Sequence, residues 1–204
     1  MSTVDFSHDD QFMAGRRLYD TTEKSNVCKK CINDDNIFCP TANLVSGYCC
    51  LATENCPQSS LCSDSLPTKE LQYMLCPNEE GCSFARTLRP TSDGLEVLYE
   101  QVYGEFLKGD LCSFKISIPT ATDLNDIMKL RVEYLARTKA VLFKGKTLSE
   151  PFARYDLKAD QVYTATQGVN FFLLFQATSI ESGDFVFSLW YETVPGGGST
   201  EPTE

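Results

Sequence analysis

Residues 47 to 56 read GYCCLATENC, with Cys49, Cys50 and Cys56 inside ten residues. The same density continues in both directions, because nine cysteines lie between residues 28 and 82 of this 204-residue chain. Their spacing is C-x2-C-x7-C-x9-C-C-x5-C-x5-C-x13-C-x5-C, and Cys112 alone stands apart. Ten cysteines exceed what core packing alone uses, so the cluster needs a chemical explanation.

Zinc binding and thiol redox chemistry are two candidate explanations. Cys28-x-x-Cys31 supplies half of a four-cysteine zinc site, but no second C-x-x-C follows and the single histidine, His8, lies outside the cluster. A thioredoxin-like C-x-x-C follows a buried strand. Here KSNVCKKCINDDN (24–36) is polar and typical of a loop. Both alternatives leave most of the spacing unexplained.

A disulfide framework explains most of the pattern. The count is even, and the intervening residues are rich in Pro, Gly, Asn, Asp and Ser, which favour turns. A segment with few large apolar side chains needs the roughly 2–4 kcal/mol that each disulfide contributes. Adjacent Cys49 and Cys50 can draw two separate segments onto one turn, and Cys112 is the expected partner for the ninth cysteine of the cluster. We predict structural disulfides of unknown pairing at Cys28, Cys31, Cys39, Cys49, Cys50, Cys56, Cys62, Cys76, Cys82 and Cys112.

From about residue 93 the dominant period is two. In LCSFKISI (111–118) the apolar residues share one face, and NFFLLFQAT (170–178) is apolar on both faces. The other segments of this type are GLEVLYE (94–100), KLRVEYLA (129–136), KAVLFKG (139–145), VYTA (162–165) and DFVFSLWYETV (184–194). About seven short strands separated by turns are typical of an antiparallel sandwich. The predicted fold is mainly β, with a disulfide-rich, loop-dominated N-terminal module followed by an antiparallel β-sandwich.

The segment TDLNDIMKLRVEYLART (122–138) carries two periods. Its first half also places apolar residues along a helical stripe, with Thr122 or Asp123 available as a cap. We favour a strand from about residue 129, because apolar and polar residues alternate regularly there.

These patterns divide the chain into four parts. They are a polar N-terminal arm (1–27), the disulfide-rich module (28–90), the β-sandwich (91–194) and a flexible linker or stalk, PGGGSTEPTE (195–204). The stalk suits either a tethered ectodomain or a plain disordered terminus. The arm is a candidate for self-assembly, since an extended arm can dock on the sheet edge of a neighbouring copy.

Charge and hydropathy restrict the partners and the compartment. A formal net charge of −10 disfavours nucleic acid and anionic lipid. No stretch reaches the roughly 18 apolar residues of a membrane span, and MSTVDFSHDDQFMAGRRLYD (1–20) lacks the apolar centre of a signal peptide. Persistent disulfides imply an extracellular or cell-surface location. We expect a mature chain or ectodomain, attached to a membrane only through an anchor outside this chain.

Two segments resemble known secreted proteins. CKKCINDDNIFCPTANLVSGYCCLATENCPQSSLCSD (28–64) resembles the cysteine-rich segments of uncharacterised surface proteins of ciliates. FLLFQATSIESGDFVFSLWYE (172–192) resembles the closing strands of CUB-like or related secreted β-sandwiches. The resemblance implies a secreted β-sandwich. CUB domains have a characteristic disulfide pair and often an acidic calcium site, and neither can be assigned to residues of this sequence. The resemblance therefore supplies no catalytic or binding residue.

No catalytic motif emerges from the sequence. A hydrolase with a histidine base is not expected, because His8 is the only histidine. Loop carboxylates at Asp34, Asp35, Asp123 and Asp126 are of the type that calcium prefers, but their spacing matches no EF-hand. We predict no catalytic residue, metal or cofactor. The alternative is a secreted hydrolase that uses carboxylates or a bound metal.

Trp190 and Tyr191 are the candidate binding residues. Trp190 lies on the opposite side of the last strand from Phe187, so it points outward if the phenylalanine face is the core. An outward tryptophan beside Tyr191 is typical of a binding hot spot, and a buried tryptophan is the alternative. We expect a recognition or structural protein that binds another extracellular protein or a glycan, or that assembles into a surface coat or filament.

Overall fold

The computed structural model describes ten parts of the chain. They are residues 16–19, 24–41, 47–52, 56, 61–78, 82, 86–90, 95–101, 106–117 and 126–193. For residues 16–19, 24–27 and 193 only the backbone is described. Most of the predicted arm and the whole predicted stalk lie outside the described residues.

The N-terminal module combines a small sheet with two helices. Strands β1 (Arg16–Tyr19), β2 (Ile37–Pro40) and β3 (Gly47–Cys50) form an antiparallel sheet in the order β1-β3-β2. Helices α1 (Lys24–Asn33) and α2 (Lys69–Tyr73) flank it, with a short 3₁₀ helix at Ser63–Ser65. Strand β1 therefore places part of the predicted arm in the module's own sheet. Among the described helices, none has the length and apolar character to cross a membrane.

Helix α1 corrects one sequence expectation. The segment around Cys28 and Cys31 was predicted to be a loop, yet it is helical because Cys28, Cys31 and Ile32 share one buried face. Their i, i+3, i+4 spacing is the helical period. The helical period was not recognised because two of the three buried positions are half-cystines and not aliphatic residues.

The C-terminal part is a sandwich of two sheets. Its strands are β4 (Thr87–Leu88), β5 (Val97–Gln101), β6 (Leu111–Ile116), β7 (Asp126–Ala136), β8 (Thr138–Gly145), β9 (Pro151–Asp156), β10 (Val162–Thr166), β11 (Asn170–Ala177) and β12 (Asp184–Thr193). One sheet has four strands in the order β10-β7-β12-β5, and the other has five in the order β4-β6-β11-β8-β9. All pairs are antiparallel except β4 with β6. The mainly β fold that the sequence predicts is confirmed.

Strand β7 resolves the ambiguity at 122–138. It is extended from Asp126 and its even-numbered residues Met128, Leu130 and Val132 are fully buried. The period of two therefore prevails three residues earlier than predicted, while residues 122–125 lie outside the described residues. Strands β4 and β9 were missed. Strand β9 is an edge strand with little burial, so PFARYD lacks alternation.

Aromatic side chains fill the space between the two sheets. Phe175 of β11 stacks on Phe185 of β12 with ring centroids 4.0 Å apart, and Phe187 stacks on Phe175 at 5.6 Å. Phe114 of β6 meets the same group edge-on. These rings are fully buried, and each such pair adds roughly 0.5–1.5 kcal/mol beyond the burial of its area.

The module packs on the outward side of the five-stranded sheet, which makes a third layer. A second buried cluster joins Ile32, Phe38 and Leu71 of the module to this side of the sheet. The sheet residues in that cluster are Leu111, Val141, Phe143, Phe172 and Leu174. This layer explains why NFFLLFQAT is apolar on both faces: β11 is a central strand between two cores.

All ten cysteines are paired. The five disulfides are Cys28–Cys76, Cys31–Cys49, Cys39–Cys62, Cys50–Cys56 and Cys82–Cys112. Adjacent Cys49 and Cys50 go to different segments, as predicted, because Cys49 reaches helix α1 and Cys50 closes a short loop. Cys112 links β6 to Cys82 of the cluster, so one covalent bond ties the module to the sandwich.

Candidate binding surface

One face of the four-stranded sheet points away from the core. We call it the outer face, and its residues are Leu98, Lys129, Arg131, Glu133, Tyr134, Val162, Ser188 and Trp190. The strand register aligns them in rows. Arg131 of β7 stands opposite Val162 of β10 and Ser188 of β12, and Ser188 stands opposite Leu98 of β5. One row thus crosses all four strands, about 14 Å at the usual strand spacing.

A hydrogen-bonded network lies at the centre of the outer face. Arg131 Nε and Ser188 Oγ both donate to Glu133 Oε1, at 2.6 and 2.7 Å. Arg131 Nη2 donates to Glu96 Oε1 at 2.7 Å. Ser188 is fully buried beneath these longer side chains. The network fixes the Arg131 guanidinium from two sides before any partner arrives.

Trp190 is held in the same network by a cation–π contact. The guanidinium carbon of Arg131 lies 5.6 Å from the centroid of the indole ring. The neighbouring Lys129 forms an ion pair with Glu192, the next outward residue along β12. The side chain of Trp190 is half-buried. Trp190 therefore points outward from β12, as the sequence predicts.

Exposed apolar side chains surround this polar centre. Leu98, Tyr134 and Val162 are 51%, 48% and 48% exposed. They lie on β5, β7 and β10, so the outer face is open to solvent across the sheet. Apolar and aromatic side chains around a fixed arginine resemble the residue composition of protein-binding hot spots.

Tyr191 does not belong to this surface. Its neighbour on β12 points outward, and because side chains alternate along a strand, Tyr191 points into the sandwich core and is only 6% exposed. Its hydroxyl has no hydrogen-bond partner among the described residues. Burial, and secondarily the charge of Asp126, raises the pKa of Tyr191 to about 12. The predicted pairing of Trp190 with Tyr191 at the surface is wrong for Tyr191.

Glu133 on the outer face does not have the properties of a general acid. Although partial burial opposes it, hydrogen bonds from Arg131 and Ser188 lower the pKa of Glu133. A general acid requires the opposite shift, a raised pKa. Glu96, the other acidic partner of Arg131, is held by the same guanidinium. Both carboxylates therefore act as anchors for Arg131.

The loop carboxylates considered for calcium are scattered. Asp34 and Asp35 are exposed at the end of α1, where Asp35 pairs with Lys69 at 3.0 Å. Asp126 is buried on β7, and Asp123 lies outside the described residues. In the part of the chain that the structure describes, no three His, Cys, Asp or Glu side chains converge as metal ligands.

Sequence reasoning missed Arg131 and Glu133 as site residues. The register between β7 and β12 shifts beside Phe187, and Glu133 is the extra residue on β7. Such a bulge re-aims side chains, and here it brings Glu133 within reach of both Arg131 and Ser188. The available signal was the polar Ser188 inside an otherwise apolar strand, because a buried hydroxyl needs a partner.

Among known proteins, the chain shows a distant similarity to solved structures. No protein-family model matches the chain, and no curated protein matches it. A solved structure, the 1.0 Å crystal structure of the pre-peptidase C-terminal domain of a collagenase from Bacillus anthracis, is similar at 14% identity and a TM-score of 0.29. The match covers 53% of this chain and 95% of that one. A likeness this distant supports no argument, and the resemblance to ciliate and CUB-like proteins stays a prediction.

Proposed function

We propose that this protein is an extracellular or cell-surface recognition protein that binds another protein through the outer face. The observation that carries the proposal is the Arg131–Trp190 pair, fixed by Glu96 and Glu133 on a sheet face that is open to solvent. A fixed arginine and tryptophan bind with less loss of side-chain freedom than flexible ones.

The disulfides support the extracellular part of the proposal. The chain has five of them, and structural disulfides form and persist mainly where the surroundings are oxidising. They also fasten the module over one side of the sandwich. The module thereby covers one sheet, and the opposite sheet keeps its outward side available for a partner.

A protein partner fits the outer face better than a glycan does. A sugar ring stacks on the flat face of an aromatic side chain, and Arg131 already occupies one face of the Trp190 ring. The exposed Leu98 and Val162 offer methyl groups, which pack against apolar side chains rather than hydroxyls. A glycan is therefore the second candidate within the same function.

The direct test is a binding screen with outer-face variants. The oxidised protein is panned against arrays of extracellular proteins and of glycans, and each hit is measured with Trp190→Ala and Leu98→Asp. We expect a protein ligand whose affinity falls at least tenfold in each variant, as is typical of hot-spot residues.

Ile180→Asp is the matched control, because Ile180 is 83% exposed and lies outside the outer face. It should bind as the parent protein does. Hits that tolerate both outer-face variants would contradict the proposed surface. If all hits are glycans, the ligand of the outer face is a sugar and not a protein.

A further inference from the structure

A cavity of about 350 Å³ lies between the module and the five-stranded sheet, on the other side of the sandwich from the outer face. Phe172 of β11 and Lys115 of β6 line it from the sheet, and Met74 and Leu75, which follow α2, line it from the module. Residues 146–148 also line it. A ligand in this cavity would contact both halves of the protein.

The charge in the cavity is opposite to that of the whole chain. Among the described residues, its lining includes Arg86, Lys115 and Lys146 and no carboxylate, although the chain has a formal net charge of −10. None of these three forms an ion pair with a described residue. Six other basic residues in the described part of the chain do: Lys69, Lys129, Arg131, Arg137, Lys139 and Arg154.

Arg86 is the most deeply placed of the three cations. Its guanidinium donates to the backbone carbonyls of Cys76, at 2.6 Å, and of Met74. Carbonyl dipoles satisfy the N–H groups but do not neutralise a full charge. Burial lowers the pKa of Arg86 to about 10. Because a buried charge is costly unless an opposite charge lies near, an anion at this place would be stabilised.

Most of the remaining lining is apolar, and the hydroxyl-bearing residues Thr41, Ser113 and Thr147 complete it. Leu61, Met74, Leu75, Leu148 and Phe172 contribute side chains with no charge and no hydrogen-bond donor. Inorganic phosphate or sulfate has no apolar part to pack against this portion of the wall. The lining therefore favours an anion with an apolar body, and at roughly 30 Å³ per water-sized group the volume holds about twelve non-hydrogen atoms.

We propose that this cavity binds an aliphatic monocarboxylate of about ten carbons. Its carboxylate lies toward Arg86, Lys115 and Lys146, and its chain lies against Phe172 and Leu148. This is a small-molecule site, separate from the protein-binding outer face, and either one can exist without the other.

Calorimetric titration of the full oxidised chain tests the ligand class. Decanoate is the probe. Decan-1-ol and decyltrimethylammonium keep the alkyl chain and change the head group, whereas acetate keeps the carboxylate and removes the chain. We expect one decanoate per chain and at least tenfold weaker binding of the other three. Equal binding of decanoate and decanol, or no binding of decanoate, would overturn the proposal. The proposal would also be overturned if a peptide with a C-terminal leucine bound more tightly than decanoate. The cavity would then be a site for the C-terminus of a polypeptide.

Variants test the location. Lys115 and Lys146 are exposed, so the double variant Lys115→Met/Lys146→Met should fold as the parent does. We expect it to bind decanoate about tenfold more weakly, because two of the three cations that face the carboxylate are removed. Lys108→Met removes an exposed lysine outside the cavity and should bind normally. Unchanged affinity in the double variant, or an equal loss in the control, would place the ligand elsewhere.

Discussion

Arg131 and Trp190 lie on neighbouring strands of the four-stranded sheet, with the guanidinium carbon 5.6 Å from the indole centroid. The pairing depends on Glu133, which holds Arg131 at 2.6 Å while it also accepts from buried Ser188. A local irregularity of β7 thus leads to a fixed aromatic–cation pair on an open surface. This pair is the structural basis of the proposed recognition function.

The single tryptophan of the chain makes this pair measurable. Replacing Arg131 by Met should remove the guanidinium from the ring and leave a flexible apolar side chain. We expect stronger acrylamide quenching of Trp190 fluorescence in Arg131→Met than in the parent protein. Arg154→Met, which alters an arginine on the other sheet, should leave the quenching unchanged. Equal quenching in the parent and in Arg131→Met would show that Arg131 does not cover the ring.

The buried hydroxyl of Tyr191 predicts a stabilising substitution. Tyr191→Phe keeps the ring in the core and removes a buried group without a hydrogen-bond partner among the described residues. The expected gain in the free energy of unfolding is about 1 kcal/mol at neutral pH, measured by urea denaturation. A loss of stability in this variant would mean that the hydroxyl has a bonding partner.

The same residue predicts a loss of stability at high pH. The folded pKa of Tyr191 is about 12, whereas tyrosine in the unfolded chain titrates at about 10. Between these values the unfolded state binds fewer protons, so stability falls with rising pH, by at most roughly 1.4 kcal/mol per pH unit. Urea denaturation at pH 9 and pH 11 should show a steeper decline in the parent than in Tyr191→Phe. Parallel declines would rule out the raised pKa.

Asn78 docks the module on strand β6. Its Nδ2 donates to the Ser113 carbonyl at 3.0 Å, and its Oδ1 accepts from the Ser113 backbone N–H at 2.7 Å. Asn78→Ala leaves two backbone groups of a buried residue unpaired, and we expect a loss of about 2–3 kcal/mol in urea denaturation. Asn170→Ala, which removes one exposed bond to Lys146, should lose less than about 1 kcal/mol. Similar losses in both variants would contradict this role.

The Cys82–Cys112 disulfide should contribute more stability than the short-range one at Cys50–Cys56. The sequence separations are 30 and 6 residues, so loop-closure entropy predicts losses of about 3–4 and about 2 kcal/mol when each pair is replaced by alanine. Urea denaturation of the two double variants gives the comparison. A larger loss for the Cys50–Cys56 pair would contradict this prediction. The Cys82–Cys112 disulfide would then restrain the unfolded chain less than the length of its loop implies.

The sequence predicted the sandwich well, because period-two alternation is a direct consequence of one buried face. It predicted the module less well. The buried face of helix α1 consists largely of two half-cystines, which an apolar pattern does not reveal. Edge strand β9 is mostly exposed, so its apolar and polar residues do not alternate. The pairing of ten cysteines depends on distances that only the folded chain sets.

The candidate site was predicted in part. Alternation along β12 gives the outward direction of Trp190, and the same alternation sends Tyr191 inward. Arg131 and Glu133 are recruited by a bulge, and the cations of the cavity come from segments far apart in the sequence. No local pattern contains these relationships, because each depends on strand register or on packing between layers.

The disulfide-fastened architecture and the oxidising compartment are both tested by non-reducing peptide mapping, with thiol alkylation, of the protein purified from its source. We expect ten blocked thiols and the five pairs Cys28–Cys76, Cys31–Cys49, Cys39–Cys62, Cys50–Cys56 and Cys82–Cys112. That result would support an extracellular protein whose module is fastened to one side of a β-sandwich. Several free thiols, or a mass increment for bound zinc, would contradict both the compartment and the architecture.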